Sequence, residues 1–415
     1  MATTPFNSSS TAVDVAIAGG GMVGASLALA LAGSGRRVLL VESAPFGDAS
    51  QPSFDERTTA LGNASRRIFT ALGLWETIAA EAAAITAIHV SDAGRFGFSR
   101  LNAADEGIEA LGFVVPNRRI GAALWERLRS APDIALRVPA RVADVSVAAD
   151  GVKLLIASES GSPEPVSAQL VVAADGAHSQ IRAAAGIDAS VADYDQVAVV
   201  ANVSADHPHG GVAYERFTRE GPLAVLPLHD GSLAVIWACR PQLAGELLAL
   251  EERAYLQQLQ RRFGWRAGRF VRAGRRGSYP LKLTRAATTI ATRTVLIGNA
   301  AQALHPVAGQ GFNLGLRDAA MLAEVIVGAE GDVGEAQLLR RFAAWRAQDR
   351  RGVIGFTDGL VKLFAATNPG VGLLRDLGLL MFDLAAPAKS ALSRVSAGFG
   401  GPAPRLARGL AVRRV

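Results

Sequence analysis

The stretch "VDVAIAGGGMVGASLALALAGSGRRVLLVES", Val13 to Ser43, constrains the fold more than any other part of the chain. Val13 to Ala18 is a short apolar run, Gly19, Gly21 and Gly24 are spaced G-x-G-x-x-G, Ala25 to Ala32 favours helix, and Val38 to Val41 is a second apolar run closed by Glu42. This order predicts strand, tight turn, helix and strand, the opening unit of a Rossmann-like sheet. Each glycine then has a task. The first permits the turn, the second lets a diphosphate approach the helix N-terminus, and the third lets helix and strand pack closely. Glu42, 23 residues after Gly19, stands where a carboxylate accepts hydrogen bonds from an adenosine ribose. An acid there disfavours a 2′-phosphate, so the tightly held nucleotide is expected to be FAD or NAD, not NADP.

Several classes are excluded by simple counts. Val15 to Gly35 carries no charge over 21 residues, enough to span a bilayer. No Lys or Arg precedes the run, Asp14 sits at its edge and consecutive glycines interrupt it, so neither a span nor a signal sequence is expected. Half of the 415 residues are hydrophobic, which supports a substantial core. The lone Cys239 excludes an internal disulfide, a CxxC pair and a thiolate metal cluster, and fits a reducing cytoplasm. Redox chemistry must then come from a borrowed cofactor. His207-Pro-His209 has no accompanying acid or cysteine pattern, so no metal site is expected. The formal charge of +6 resides in Leu384 to Val415, which holds six basic residues and no acid. That tail is expected either to be solvated or to dock on an anionic membrane surface or a partner. With Phe399 its only aromatic, it does not suggest nucleic acid.

Two further motifs follow. "LVVAADGAHSQIR", Leu170 to Arg182, is an apolar strand ending in Asp175-Gly176, with Ser179 and Arg182 after it; alone, Asp-Gly marks only a turn. "LIGNAAQALHPVAGQGFNLG", Leu296 to Gly315, runs from a buried strand into a glycine-rich segment, with a helix expected from about Leu316 to Val327. Taken in order, the three motifs resemble the single-component flavin aromatic hydroxylases, similar in architecture to para-hydroxybenzoate hydroxylase. Shorter blocks, "FDERTTAL" (Phe54 to Leu61), "HVSDAG" (His89 to Gly94), "YERFTREGPLAVLPL" (Tyr214 to Leu228), "FGWRAG" (Phe263 to Gly268) and "SYPLKLTRA" (Ser278 to Ala286), are similar to the ubiquinone-biosynthesis hydroxylases. The resemblance runs from about Asp14 to Pro387.

The resemblance implies a mixed α/β fold in which a Rossmann-like FAD-binding domain is interleaved with an antiparallel-sheet substrate domain. The expected division is a disordered tail over 1–12, an FAD-binding domain over 13–90, 112–185 and 287–330, and a substrate domain over 91–111 and 186–286. C-terminal helices over 331–383 and a basic tail over 384–415 complete the chain. "AVVANV", "VAYERFT", "PLAVLPL" and "SLAVIWA" are β-prone runs, the last two joined by a His229-Asp230-Gly231 hairpin signal, and they suggest the meander of that second domain. The implied cofactor is FAD, with NAD(P)H as a transient reductant, since no second glycine fingerprint marks a stable site for it.

Residue by residue, the resemblance places Gly19, Gly21, Gly24 and Glu42 on the ADP half of FAD and Arg57 near the flavin or its diphosphate. Asn117 and Arg118 would open a helix that meets the cofactor from the other side. Asp175 and Gly176 would organise the diphosphate and the passing nicotinamide nucleotide, and Asn299 the ribityl chain. Gly311, Phe312 and Asn313 would let backbone N–H groups reach the isoalloxazine ring. His305 and Pro306 are the candidates for the wall beside the flavin, and His305 for proton handling; the plainer alternative for His305 is a backbone hydrogen bond in a tight loop.

Two residues depart from the broader flavin hydroxylase pattern. Asn299 replaces the usual Asp and Gln302 a usual His. Asn keeps an acceptor oxygen while removing a negative charge, and the ubiquinone subgroup often carries it. The implied activity is hydroxylation of a polyprenylated phenol, such as 2-polyprenyl-6-methoxyphenol, with O₂ through a flavin C4a-hydroperoxide. Another ring position, a small soluble aromatic, or a low-turnover flavin-binding scaffold remain open. A prenyl tail and the basic terminus imply a cytoplasmic protein with peripheral contact on the inner membrane face, and other ubiquinone-biosynthesis proteins as partners. An apolar set at Val371, Leu374, Leu377 and Met381 reads either as a core-facing stripe or as a surface helix touching lipid.

Overall fold

The computed structural model describes residues 11–47, 57–158, 161–305, 309–365 and 369–412. Five parallel strands, Thr294–Leu296, Glu164–Ala173, Thr11–Ala18, Val38–Val41 and Ile134–Arg137, lie side by side in that order. All four residues of Val38–Val41 are buried, as expected of a parallel strand covered on both faces. A hairpin, Ala140–Val147 with Val152–Ser158, adds antiparallel strands on Glu164–Ala173. The helix Met22–Leu31 follows the glycine turn and is buried from Gly24 to Leu31. It packs against two other helices, Asn117–Arg129 and Gln310–Val327, as well as the sheet. Being covered all round, it needs no polar face.

A second, nine-stranded sheet is assembled from distant parts of the chain. The 17-residue strand Ala189–Ala205 pairs antiparallel with Leu233–Cys239 on one side and Gly277–Ala286 on the other. Leu233–Cys239 pairs in turn with Pro222–Pro227, and that strand with Val212–Phe217. Gly231 (φ 83°) makes the turn at the anticipated hairpin. Two features differ from a simple meander. Ala87–Asp92 joins Val212–Phe217 in parallel, and Gln302–Ala303 pairs with Thr284 and Arg285. The substrate sheet therefore begins at Ala87, a few residues before the expected boundary, and borrows two residues from the third motif. Thr58–Gly62, Gly112–Pro116 and Ala83–Ile85 form a small third sheet.

Three other expectations are corrected. Thr11 and Ala12, assigned to a disordered tail, pair with Val166 and Ser167 at the start of the first strand. The helix expected from Leu316 begins at Gln310, with Gly309 (φ 60°) as its N-cap. Glycines at 311 and 315 disfavour helix intrinsically, but tertiary contact overrides that. A Cβ on Gly315 would stand 3.0 Å from Gly298 Cα and from Val23 Cγ2, so close approach requires glycine there. The basic segment after Leu384 is folded through Val412. Ala386–Ser396 is a helix, Leu406 and Ala407 are buried, Ala64 N donates to Ala397 O (2.9 Å), and Arg405 N donates to Glu324 Oε2 (2.6 Å). Small apolar residues between the arginines fill the space beside the helix Asn63–Ala71, which composition alone conceals.

The helices Gln310–Val327 and Ala336–Ala365 are joined by a buried ionic network. Arg346 binds Asp318 (2.6 Å) and Asp349 (2.6 Å), Arg317 binds Asp349 (2.8 Å), and Gln302 donates to Asp318 (2.9 Å) while accepting from Arg350 (2.8 Å). Gln302 thus works as a two-ended bridge from the third motif to both helices. Burial pushes the Asp349 carboxyl up, but Arg317 and Arg346 outweigh it and hold it below the usual range. Its contribution to stability is therefore complete above the ordinary Asp value of about 3.9 and is lost as pH falls through the lower folded value. Asp349→Asn leaves two buried guanidiniums short of a partner and is expected to lower the unfolding free energy by roughly 3–5 kcal/mol, measured by urea unfolding at neutral pH.

Candidate active site

One cavity of about 1430 Å³ lies between the parallel sheet and the substrate sheet, and the three motifs line one side of it. Gly19 (φ 102°) turns the chain under Ala174, whose carbonyl a Cβ would strike; a Cβ on Gly24 would overlap the Gly19 carbonyl. Gly21 caps the helix Met22–Leu31 with no side-chain hydrogen bond, and no acid occupies the first turn. Its first N–H groups therefore have no intrahelical partner. Gly20, which sequence reasoning passed over, is equally constrained. Its N–H donates to Glu42 Oε2 (2.6 Å), its carbonyl accepts from Trp125 Nε1 (3.2 Å), and a Cβ would stand 2.7 Å from the indole. Glu42 is thus held against the glycine turn at the cavity wall.

Asp175 and Gly176 line the same wall. Asp175 Oδ2 accepts from Gln180 N (2.9 Å) and Ile181 N (3.3 Å), while its buried Oδ1 has no hydrogen bond among the described residues. The rest of that motif is structural. Ser179 caps Arg182 N (2.9 Å), and the Arg182 guanidinium donates to Ala300 O (2.9 Å) and Ala177 O (2.8 Å), tying the second motif to the third. Asn299 sits in the turn Gly298–Ala300 with its side chain exposed at the cavity, joined there by Gly311 and Phe312. Arg57 lies 4.5 Å over the Tyr279 ring on the cavity wall. Asn117 opens its helix and accepts from Thr59 Oγ1 (2.7 Å) at the same cavity.

One assigned residue is placed otherwise. Arg118 points to the surface and pairs with Glu81 (2.7 Å), away from the cavity. One position along a helix turns a side chain by about 100°, so it cannot share the direction of Asn117. The side chain of Asn313, whose backbone N–H is the group expected at the ring, is buried behind the wall. Its amide oxygen accepts from Gly62 N (2.9 Å) and Ser65 Oγ (2.6 Å), and its NH₂ donates to Ala60 O and Gly309 O. It braces the helix start. Pro306 lies outside the described residues.

His305 is buried at the cavity edge, set edge-on to Tyr194 (5.3 Å between centroids). Gln196 already gives its NH₂ to Glu220 O (3.1 Å), so its Oε1 accepts from His305 Nε2 at 3.2 Å. Burial pushes the imidazole down to about 4, which makes it neutral near pH 7. It is a hydrogen-bonding wall residue and a poor source of protons.

The substrate sheet forms the opposite wall. Val199, Val225, Val235 and Trp237 point to a helix-covered core, so by alternation Ala198, Ala224, Ala234, Ile236 and Ala238 face the cavity. Small side chains leave room above them. Glu215, on Val212–Phe217 and in register with Ala224, is the carboxylate among them. Among the described residues it has no hydrogen bond or ion pair, and burial pushes it up to about 7. The usual order is inverted in this cavity, with the carboxylic acid titrating above the imidazole. The acid was missed because a Glu in an alternating strand reads as solvent-facing.

An FAD molecule would meet glycines lacking Cβ atoms, helix-end N–H groups and the unpartnered buried oxygen of Asp175, and these suit its diphosphate and hydroxyls. Residues 12–357 match the family described as "FAD binding domain". The chain is 36% identical to the ubiquinone hydroxylase UbiL of Rhodospirillum rubrum over 99% of this chain and 96% of that one. It is 32% identical to the 3-demethoxyubiquinol 3-hydroxylase of Escherichia coli, over 91% and 96% respectively. Among solved structures, p-nitrophenol 4-monooxygenase PnpA from Pseudomonas putida has the same fold, with a TM-score of 0.76 at 20% identity, covering 94% of this chain and 99% of that one. The protein is an FAD-dependent monooxygenase with NAD(P)H as reductant, and the chain belongs to the flavin hydroxylase family of ubiquinone biosynthesis.

Proposed function

We propose that this enzyme hydroxylates the ring of a polyprenylated phenol, with 2-polyprenyl-6-methoxyphenol as the substrate. The supporting observation is the alanine-lined apolar face opposite the glycine wall, in a cavity larger than the roughly 300–1,000 Å³ usual for one ligand. That volume suits a cofactor and a second apolar occupant together. In this reading Gly19, Gly21, Gly24 and Glu42 hold the ADP half of FAD, Asp175 and Gly176 the diphosphate region, Asn299 the ribityl chain, and Gly311 with Phe312 the approach to the ring. FAD, once reduced and bound, supplies the activation of O₂ and delivery of one oxygen atom. The chain's own work is to orient the ring, exclude water and manage the phenolic proton.

An isoprenoid tail needs an apolar way out. Phe217, two residues beyond Glu215, stacks on Phe364 (3.5 Å between centroids), with Val90, Leu360 and Leu379 packed around them. Next to this cluster the helix Pro369–Leu384 is held inward by polar contacts: Asp376 with Arg95 (3.5 Å) and Asp383 accepting from Arg100 N (2.7 Å). Its outward residues are apolar, with Leu377, Met381 and Leu384 exposed by 45%, 71% and 86%. The side chains of Val371 and Leu374 lie outside the described residues. Among the described residues no helix is long and apolar enough to cross a membrane. The outward face suits peripheral insertion at the acyl boundary, where the substrate's tail resides.

Mass-spectrometric profiling of quinone intermediates in a strain lacking the gene is expected to show accumulated 2-polyprenyl-6-methoxyphenol. Accumulation of a later demethoxy intermediate would select the other ring position, and unchanged quinone levels would remove the proposal. Asn299→Asp is expected to keep its flavin, read as the flavin-to-protein absorbance ratio, whereas Gly24→Ala loses it. Met381→Ser combined with Leu384→Ser is expected to weaken partition onto anionic vesicles by roughly tenfold or more in a flotation assay; unchanged partition would show that this face does not touch lipid.

A further inference from the structure

We infer that Glu215 is the anchor and proton acceptor for the substrate's ring hydroxyl. This rests on the phenol reading above and adds the group that recognises the phenol. Three observations carry it. Glu215 sits on the cavity face of the substrate sheet, whose neighbouring positions are apolar and small. It makes no hydrogen bond or ion pair with any described residue, in contrast to Glu42, which is held by Gly20 N (2.6 Å) and Ala44 N (2.8 Å). Lastly, His305 across the cavity is held neutral by burial and already gives its Nε2–H to Gln196 Oε1 (3.2 Å).

The surroundings explain why a carboxylate is kept there. The adjoining strands present Val90 and Ile88 on one side and Ala224 and Leu226 on the other, and none of these titrates. Farther along the same face, Asp92 is held by Arg95 (3.7 Å). Tyr194, beside Phe217, donates to Asp358 (3.1 Å). The remaining titratable and charged groups of the cavity wall include Glu42, Arg57, Arg141, Asp175, Tyr214, Arg275, Arg276, Tyr279 and Lys282, with His178 and His305. None of them moves Glu215; desolvation alone raises it to about 7. An ionised carboxylate without partners in apolar surroundings is costly, and a hydroxyl donor aimed at it removes that cost. When the phenolic O–H bond breaks, the proton passes to a Glu215 carboxylate oxygen and the bonding pair stays on the phenol oxygen. The ring becomes more electron-rich where it must attack. A carboxyl group near 7 is poised for this at neutral pH. Below that pH Glu215 is protonated: it takes no proton and its carbonyl oxygen accepts only a weaker, neutral hydrogen bond, so affinity for a neutral phenol falls as pH drops through about 7.

The test uses the FAD-loaded protein and two probes without a prenyl chain, 2-methoxyphenol and its methyl ether 1,2-dimethoxybenzene, with binding read from flavin fluorescence between pH 5.5 and 8.5. Glu215→Gln is expected to weaken 2-methoxyphenol roughly ten- to a hundredfold at pH 8 and to abolish its pH dependence, while leaving the ether's affinity unchanged. Because the variant keeps the side chain's shape and removes a half-buried, unpaired charge, it should unfold at a higher temperature than wild type at pH 8, and this separates loss of fold from loss of anchoring. Equal affinity of both proteins for the phenol, equal losses for phenol and ether, or no saturable phenol binding by wild type would each overturn the assignment. Quinone profiling bears on the prenylated substrate independently, so either conclusion can fail alone.

Discussion

Everything in this structure depends on backbone segments approaching more closely than side chains permit. Gly19 passes under the Ala174 carbonyl, Gly24 closes on Gly19, and Gly315 rests on Gly298 beside Val23. Three pieces of chain separated by well over a hundred residues are thereby brought to one place, and each contributes its end to the cavity wall. A single Cβ at Gly24 would overlap backbone, which has no rotamer to yield. The constraint explains why a helix tolerates the glycine at 315 despite its intrinsic penalty of about 1 kcal/mol.

Polar order then radiates from this crossing. Arg182 ties the second motif to the third, Gln302 ties the third to Asp318 and Arg350, and Arg346 and Arg317 tie two helices through Asp318 and Asp349. These groups satisfy one another. By contrast, two acidic groups at the cavity are not fully satisfied by the described residues: Asp175 through its Oδ1 on the glycine wall and Glu215 on the sheet face. Unsatisfied acceptors are costly wherever they serve no ligand, and these two stand on opposite walls of one cavity.

The parts legible in the sequence were those whose physics is local. A strand, a glycine turn and a helix identify themselves over thirty residues, and four β-prone runs announced four of the nine strands of the second sheet. What failed was long-range. Nothing in the alternation of "VAYERF" tells which face is covered, so Glu215 resembled a solvent residue. Arg118 was assigned with its neighbour although helical rotation separates them. The last thirty residues have the charge of a solvated tail, yet Leu406 and Ala407 find a place beside a helix laid down more than 330 residues earlier. Gln302 stood out only as a departure, and its bridging role required knowing where Asp318 and Arg350 lie.

The parallel pairing of Ala87–Asp92 with Val212–Phe217 bears on how the chain acquires its structure. The earlier strand cannot join the large sheet until a segment more than a hundred residues downstream has been made, and Gln302–Ala303 completes that sheet only later still. Loop closure over such separations slows folding. During synthesis the glycine unit at the N-terminus can form first, while Ala87–Asp92, paired on one side with Phe98–Asn102, waits with its other edge open to association with other chains. The two sheets are therefore products of one folding event, and neither corresponds to a continuous piece of sequence that could be made alone.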